Sequence, residues 1–540
     1  MTAAEGARAR AEYTALAGRV AGGDPLADVL DDWVPVWARW YQRGLQAKVR
    51  TVLDGDPGAR QDFAGIVQHL LPALQDGERD LYDALLARSG ELGSLPEAFR
   101  PFVAHVEEAR RLQHPANVAL TARTEVVGQR YQRLRRTWEG EHDGFSIGLG
   151  PYREVLGNAA ERGLRRATFR ARADRRRADL ESCEQLFGEL LEIRSSMSSN
   201  LGFVDYREVA HRELRRELTS ERAQRFHEAV EVVVAPALKR LYDERLAELG
   251  LDSLRPWDLR FAPAAEAPWS DGSGLIEVAA ELMGALDPDL ARHFGVLRPR
   301  LDVASGSGRG GRSFSAFLPV DELPLVVVST TGSRSDLFTL LHELGHALHD
   351  TLRAPATRMP MVRPGHDVCE LASIAHEVLH HQTLHTVFGD VAQRMIRSHW
   401  LRLLLLTCEV AAADRFQQWV YASGCTDPKA WHDRWLSEIQ RLLGPLVVDE
   451  EDALRVATMW LDIPHLVLMP MYALEYGLAA VGALGIERAQ RRQPRRAVQD
   501  YMAALSLPGG CGASTFYELA GTRYAPDAAW VSEAIADLGL

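Results

Sequence analysis

Two histidines four residues apart, with an acid beside the first, stand out in this 540-residue chain: His342-Glu343-Leu344-Gly345-His346. On a helix, positions i and i+4 project from one face a turn apart, so both imidazoles can reach one ion. Imidazole nitrogens suit zinc. Glu343 lies where a carboxylate reaches a metal-bound water. This is the H-E-x-x-H arrangement, in which the glutamate serves as general base for hydrolysis. A catalytic zinc needs a third protein ligand and one open position. Glu370, in Cys369-Glu370-Leu371-Ala372-Ser373, is the candidate, because a break with Pro360, Pro364 and Gly365 lets a second helix turn back. A different class of zinc site would carry a histidine six residues after His346, and Leu352 stands there. His349 lies on the His342 stripe but too far along the helix to join one tetrahedral site.

The pattern occurs twice, since His376-Glu377-Val378-Leu379-His380 also matches. The first copy is favoured. A β-like segment precedes it directly, and it has an acidic third ligand in place. The second copy shares its helix with Glu370, and Glu377 falls on the face of Glu370, two turns on. Its own third ligand would have to be Glu409.

Positioning these groups calls for a helix starting at the capping box Ser333 to Asp336. Before it, Phe314 to Leu318 and Leu325-Val326-Val327-Val328 read as short strands. The glycine-rich Ser305 to Gly311 lacks the phosphate-loop pattern and reads as a hairpin or flexible loop on the substrate side. From about residue 5 to 250 apolar residues recur at helical spacing, as at Leu180, Leu186, Leu190 and Ile193. Breaks fall near Gly55-Asp56-Pro57, Gly90 to Pro96 and Gly144 to Pro151. After Asp336 the chain reads as helix, interrupted around Pro355 to Gly365 and Gly424 to Pro428. The expectation is a mainly α protein with one small sheet before the key motif. An N-terminal helical lobe is expected over 1–190 and a catalytic region over 191–540.

Composition narrows the partners. Net charge is −12, which argues against nucleic acid or an anionic membrane as the partner. The arginine-dense Leu164 to Arg177 reads as a solvated helix face with local ion pairs. Only three of the 62 basic residues are lysine, which we read as genome composition. The five cysteines are scattered without a C-x-x-C, so neither a disulfide framework nor a thiolate zinc site is expected. No apolar leader follows Met1, and the apolar run near Leu401 to Ala413 is too short to span a bilayer. The expectation is a cytoplasmic protein, with no inference about oligomeric state.

With these residues placed, the chain resembles the oligoendopeptidase F and thimet oligopeptidase family of zinc peptidases. The resemblance rests on ordered blocks: Leu201 to Tyr206 (LGFVDY), Leu254 to Leu259 (LRPWDL), Arg309 to Phe317, His342 to His349 (HELGHALH), Glu370 to Glu377 (ELASIAHE), and Ser506 to Gly521. It implies a two-lobed, mainly helical shell around a deep channel with one zinc on its floor. Such a channel admits short unstructured peptides and excludes folded proteins. It implies His342, His346 and Glu370 as zinc ligands, Glu343 as the base, and Ser373 and Glu377 as supports behind the ligands. Strand Leu325 to Thr330, through Val327, Val328 and Ser329, would bind the substrate backbone by strand addition.

The family's histidine and tyrosine-rich run corresponds to His465 to Gly477, with His465, Tyr472 and Tyr476 as oxyanion and substrate contacts. Here the sequence departs: the oxyanion tyrosine aligns with Leu474, so Tyr472 or Tyr476 substitutes or the contact is weakened. Two other readings stay open. One is a peptide-binding protein of this fold with weak or no hydrolysis, which the intact Glu343 opposes. The other is a zinc enzyme acting on a peptide-like or modified amino-acid substrate in a biosynthetic pathway.

Overall fold

The computed structural model describes residues 2–53, 57–96, 99–262, 267–305, 313–353 and 364–539. Most of the described chain is helix, as the 3.6-residue periodicity predicts. Two apolar cores form. The first gathers buried side chains from Ala9 to Val106, and the second those from Val127 to Leu538. They part between Ala109 and Leu112, well ahead of the division expected at 190. The lobes meet through polar contacts. In helix α1 (Leu26–Leu53), Gln42 accepts from the Val320 N–H at 2.8 Å and donates to Asp321 at 3.1 Å. From helix α2 (Arg100–Arg111), Glu108 pairs with Arg212 at 2.9 Å.

A two-residue hairpin, β1 (Glu141–His142) with β2 (Phe145–Ser146), fills the break near Gly144. The arginine-dense segment forms helix α3 (Arg162–Arg177), and it is not a solvated face. Arg165 and Arg162 converge on Asp258 at 2.8 and 2.6 Å, and Arg172 and Arg176 on Asp462. Arg165, Arg172 and Arg176 are buried. These distant acid partners let α3 bind helical layers together, which local charge patterning does not reveal.

Three strands form the second sheet: β3 (Leu301–Ser305), β4 (Phe314–Leu318) and β5 (Leu323–Thr330), in the order β3-β5-β4. β4 has the expected bounds. β3 was not expected; it lies parallel to β5 from Leu301↔Val326 to Ser305↔Thr330. β4 runs antiparallel to β5, from Phe314↔Val327 to Leu318↔Leu323. The glycine-rich segment between β3 and β4 falls at 306–312, outside the described residues.

Helix α4 (Ser335–Leu352) follows β5 and packs on it. The expected capping box forms by half. The Asp336 carboxylate accepts from the backbone N–H groups of Thr331, Gly332 and Ser333 at 2.8–3.1 Å. The Ser333 hydroxyl instead meets those of Thr331 and Ser335. The expected interruption after α4 lies mostly in 354–363, outside the described residues.

Helix α5 (His366–Leu379) then packs between α4 and helix α7 (Leu474–Arg492), while α6 (Val391–Ser423) backs α7. The closeness of α4 to α5 depends on Gly345. A Cβ there would lie 2.6 Å from Ser373 Cα and 2.9 Å from the Ala372 carbonyl oxygen. Gly345→Ala should therefore push the two helices apart at a cost of about 1–3 kcal/mol. A thermal midpoint equal to the parent's would contradict this. Among the described residues no helix is long and apolar enough to cross a membrane.

Candidate metal centre

Helix α4 presents His342 and His346 from one face, with rings edge to face and centroids 4.9 Å apart. The glycine contact brings α5 close enough for Glu370 to reach them. Its Oε2 lies 3.6 Å from His342 Nε2 and 3.8 Å from His346 Nε2. One ligand atom from each residue falls within 4.8 Å of the other two, the one such group of metal-ligating side chains among the described residues.

The group fits a zinc ion on three counts. Two imidazoles and a carboxylate are a donor set of catalytic zinc sites. Bonds of roughly 2.0–2.1 Å to a tetrahedral ion put ligand atoms about 3.3 Å apart, against 3.6 and 3.8 Å from Glu370 Oε2 to the imidazoles and no pair beyond 4.8 Å here. And Glu370 Oε2 is buried without a hydrogen-bond partner, an unmet need that a cation would satisfy.

Electrostatics set the two rings of the group apart. Burial, and then the charge of His342, push the His346 pKa well below the ordinary value, so its ring is neutral. Burial opposes charge on His342 too, but the Glu377 carboxylate outweighs it and raises the pKa to about 9. That carboxylate accepts from His342 Nδ1 at 2.8 Å, leaving Nε2 to face Glu370 and His346. Glu377 thus stands directly behind a histidine of the group. Ser373 does not: its hydroxyl donates to the Glu370 main-chain carbonyl at 2.9 Å, bracing the turn rather than a ligand atom.

Glu343 is buried beside this group. Desolvation raises its carboxyl to about 7, against the opposing charge of His342. The backbone of Ser315, in β4, lies beside it and opposes that rise.

The second H-E-x-x-H copy is core. His376 Nδ1 donates to the Leu341 carbonyl at 2.7 Å, and His380 Nε2 meets His376 Nε2 at 3.3 Å. Both rings are fully buried. Glu409 is held by Arg260 at 2.7 Å, and Glu377 faces the first copy.

Strand addition at Val327, Val328 and Ser329 is corrected by the sheet. β5 is the central strand. Val327 is paired on both sides, Val328 pairs with Val303, and the Ser329 N–H is taken by Ser313 Oγ at 3.1 Å. The β-branched run signals a buried strand, and burial here means a neighbour on each side.

The tyrosine run converges on Glu370. Tyr472 donates to Glu370 Oε1 at 3.3 Å, and Tyr476 lies beside both, its ring edge-on to that of Tyr472 at 5.7 Å. The His465 ring lies tilted against that of Tyr472 with centroids 4.9 Å apart, and burial and Arg135 lower its pKa. Leu474 is wholly buried. Met471, just before Tyr472, holds a left-handed φ of +67°. Gln417 accepts its N–H at 3.0 Å, and Arg216 donates to its carbonyl while pairing with Glu475. Sequence reasoning missed Arg216, which is remote in the chain. It also missed His366, which packs edge-on against Tyr472 at 5.0 Å. The i, i+4 spacing from His366 to Glu370 was the available signal.

A cavity of 1080 Å³ lies between the lobes, lined by His105 and Glu108 on one side and Arg212, Gly365 and Gly510 to Gly512 on the other. Gly365, the residue that leads into α5, is among its lining residues.

Comparison with known proteins agrees with this architecture. Residues 155–267 match the model of Peptidase family M3. That segment holds the LGFVDY and LRPWDL blocks and ends before the metal motif. PZ peptidase A with an inhibitor superposes with a TM-score of 0.88 at 18% identity, over 98% of this chain and 95% of that one. A protein described as an oligoendopeptidase F gives 0.88 at 19% identity with the same coverage. An oligoendopeptidase F from Enterococcus faecium gives 0.66 at 14%, over 99% and 97%. No curated protein sequence matches the chain. The family M3 match supports a peptidase, and the structural likenesses show the shared fold. The resemblance to the oligoendopeptidase F and thimet oligopeptidase family is borne out, by the family M3 match within the chain and by a fold shared along nearly all of it.

Proposed function

We propose that this protein is a zinc-dependent peptidase that cleaves amide bonds in short unstructured peptides. His342, His346 and Glu370 hold the ion and Glu343 is the general base. The observation that carries this reading is the buried, partnerless Glu370 Oε2, 3.6 and 3.8 Å from two imidazole nitrogens.

A zinc ion held there by His342, His346 and Glu370 would polarise a scissile carbonyl and lower the pKa of a water. Glu343 takes a proton from that water and delivers it to the leaving amine, and its raised pKa suits both tasks. Tyr472 fixes the orientation of Glu370 through Oε1, while His465 and Tyr476 donate to the carbonyl oxygen as negative charge develops. The outer edge of β4, where Ser315 already meets Glu343, is the place for a substrate backbone to add as a strand. The interlobe cavity accommodates the rest of a short peptide.

A second reading, peptide binding with weak hydrolysis, draws support from Leu474. The position aligned with the oxyanion tyrosine is buried, and both neighbouring phenols are drawn to Glu370. Incubating the protein with a pool of short peptides separates the two. Cleavage that a chelator abolishes and zinc restores is the expected result. Cleavage indifferent to chelation would overturn the zinc reading, and retention of peptides without products would favour binding.

A further inference from the structure

Behind the metal group runs a buried chain of acids and imidazoles that the hydrolytic mechanism does not use. Glu377 gives Oε1 to His342 and Oε2 to His399 Nε2 at 3.0 Å. His399 Nδ1 meets His381 Nε2 at 2.7 Å, and His381 Nδ1 meets Glu487 Oε1 at 3.0 Å. Glu487 also accepts from Trp400 Nε1 at 2.9 Å and from Arg491 at 2.7 Å. Arg402 donates to Glu377 Oε2 and lies 2.8 Å from His399 Nε2. The Phe338 ring covers His399, and Phe338 and Trp400 flank His381. All four acid and imidazole side chains are at most 3% exposed, so solvent does not supply missing donors. Three α-helices and a short turn, distant in sequence, contribute to this row.

Counting protons narrows its state to two. A carboxylate only accepts, so His381 Nδ1 carries hydrogen, and so does His399 Nε2 unless the donor-only Arg402 guanidinium takes its lone pair. The short nitrogen-to-nitrogen contact between the rings needs one more. Three protons on four ring nitrogens make one ring neutral and the other an imidazolium. We infer that the His381–His399 pair carries one excess proton between two buried carboxylates and acts as a positioning unit that aims Glu377, and through it His342, at the metal. The inference rests on the zinc reading above. Burial and Arg402 push His399 down to about 3, which disfavours the charged form of that ring. The Glu487 carboxylate is ionised, for His381 and Arg491 outweigh burial and hold it at about 2, and Arg402 donates to the carboxylate of Glu377.

The competing arrangement has Arg402 donating to a bare His399 Nε2 and both rings neutral. Nitrogen NMR of histidine-labelled, zinc-loaded protein at about pH 8, well above the ordinary imidazole pKa, counts the protons. One doubly protonated ring in this pair is expected. Glu487→Gln and His399→Leu should each weaken zinc binding by about 10–100-fold. His399→Gln keeps a donor for Glu377 and should recover most of that loss. Two neutral rings, or zinc affinity unchanged in both Glu487→Gln and His399→Leu, would overturn the inference. Should those variants fail to fold, the proton count in the unaltered chain still decides. A parent chain that binds no zinc would refute the metal reading instead, and the proton count would stand apart from it.

Discussion

Glu343→Gln should bind zinc as the parent does and lose about 10²–10⁴-fold in kcat. The ligand atoms belong to His342, His346 and Glu370, and an amide leaves them in place while removing the base. The pH profile carries the same signature. Burial raises the Glu343 carboxyl to about 7. The base works only when ionised, so kcat/KM should fall as pH drops through the carboxyl's working pKa. A bound cation lowers that pKa, so the acid limb lies below 7 in the zinc enzyme. Residual activity of the Gln variant should lack the limb. The sign for stability is opposite. A folded-state pKa above the unfolded value of 4.5 means that metal-free protein loses stability as pH rises from about 4.5 to 7. Above that window the metal-free Gln variant should unfold at a higher temperature than the metal-free parent. Parent-like turnover in Glu343→Gln would remove Glu343 from the chemistry.

Arg216→Met should be among the most damaging substitutions outside the metal group. The side chains of Arg216 and Glu475 are both wholly inaccessible to solvent. Removing the guanidinium leaves a buried carboxylate without its cation, at a cost of about 3–5 kcal/mol. It also frees the Met471 carbonyl. The left-handed backbone of Met471 costs roughly 1–2 kcal/mol for a non-glycine residue and persists only while its neighbours hold it. Release of that turn would carry Tyr472 and Tyr476 away from Glu370. We expect a lower thermal midpoint together with weakened zinc binding. The double variant Arg216→Met with Glu475→Leu should regain much of the stability, since no unpaired charge remains, but not the tyrosine geometry. A single variant as stable as the parent would contradict this account of the turn.

How much of this the sequence made legible depended on the range of the interaction. His342 and His346 were readable because one helical turn fixes their common face, and α4 requires nothing further. Glu370 needed only the break before α5. The helical character of most of the chain followed from periodicity, and β4 from its short apolar run. Other features depended on partners far along the chain. Alternation in Leu325 to Thr330 could not say that both edges of β5 are taken. That depends on β3, whose Leu301-Asp302-Val303-Ala304-Ser305 has little β-like patterning of its own. The arginines of α3 looked solvated because their acid partners, Asp258 and Asp462, lie far downstream. The Glu377–His399–His381–Glu487 row joins residues up to 110 positions apart (377 to 487), so no local spacing announces it. Nor did the tyrosine run reveal that Met471 turns left-handed and delivers both flanking phenols to one carboxylate.

Two copies of one motif in a single chain make the location of the metal the decisive fact. Anomalous diffraction at the zinc edge, from crystals of zinc-loaded protein, reads that location directly. The account predicts one peak per chain, about 2.0–2.2 Å from His342 Nε2, His346 Nε2 and Glu370 Oε2. A peak at His376 and His380, or no peak in protein that cleaves peptides, would contradict it.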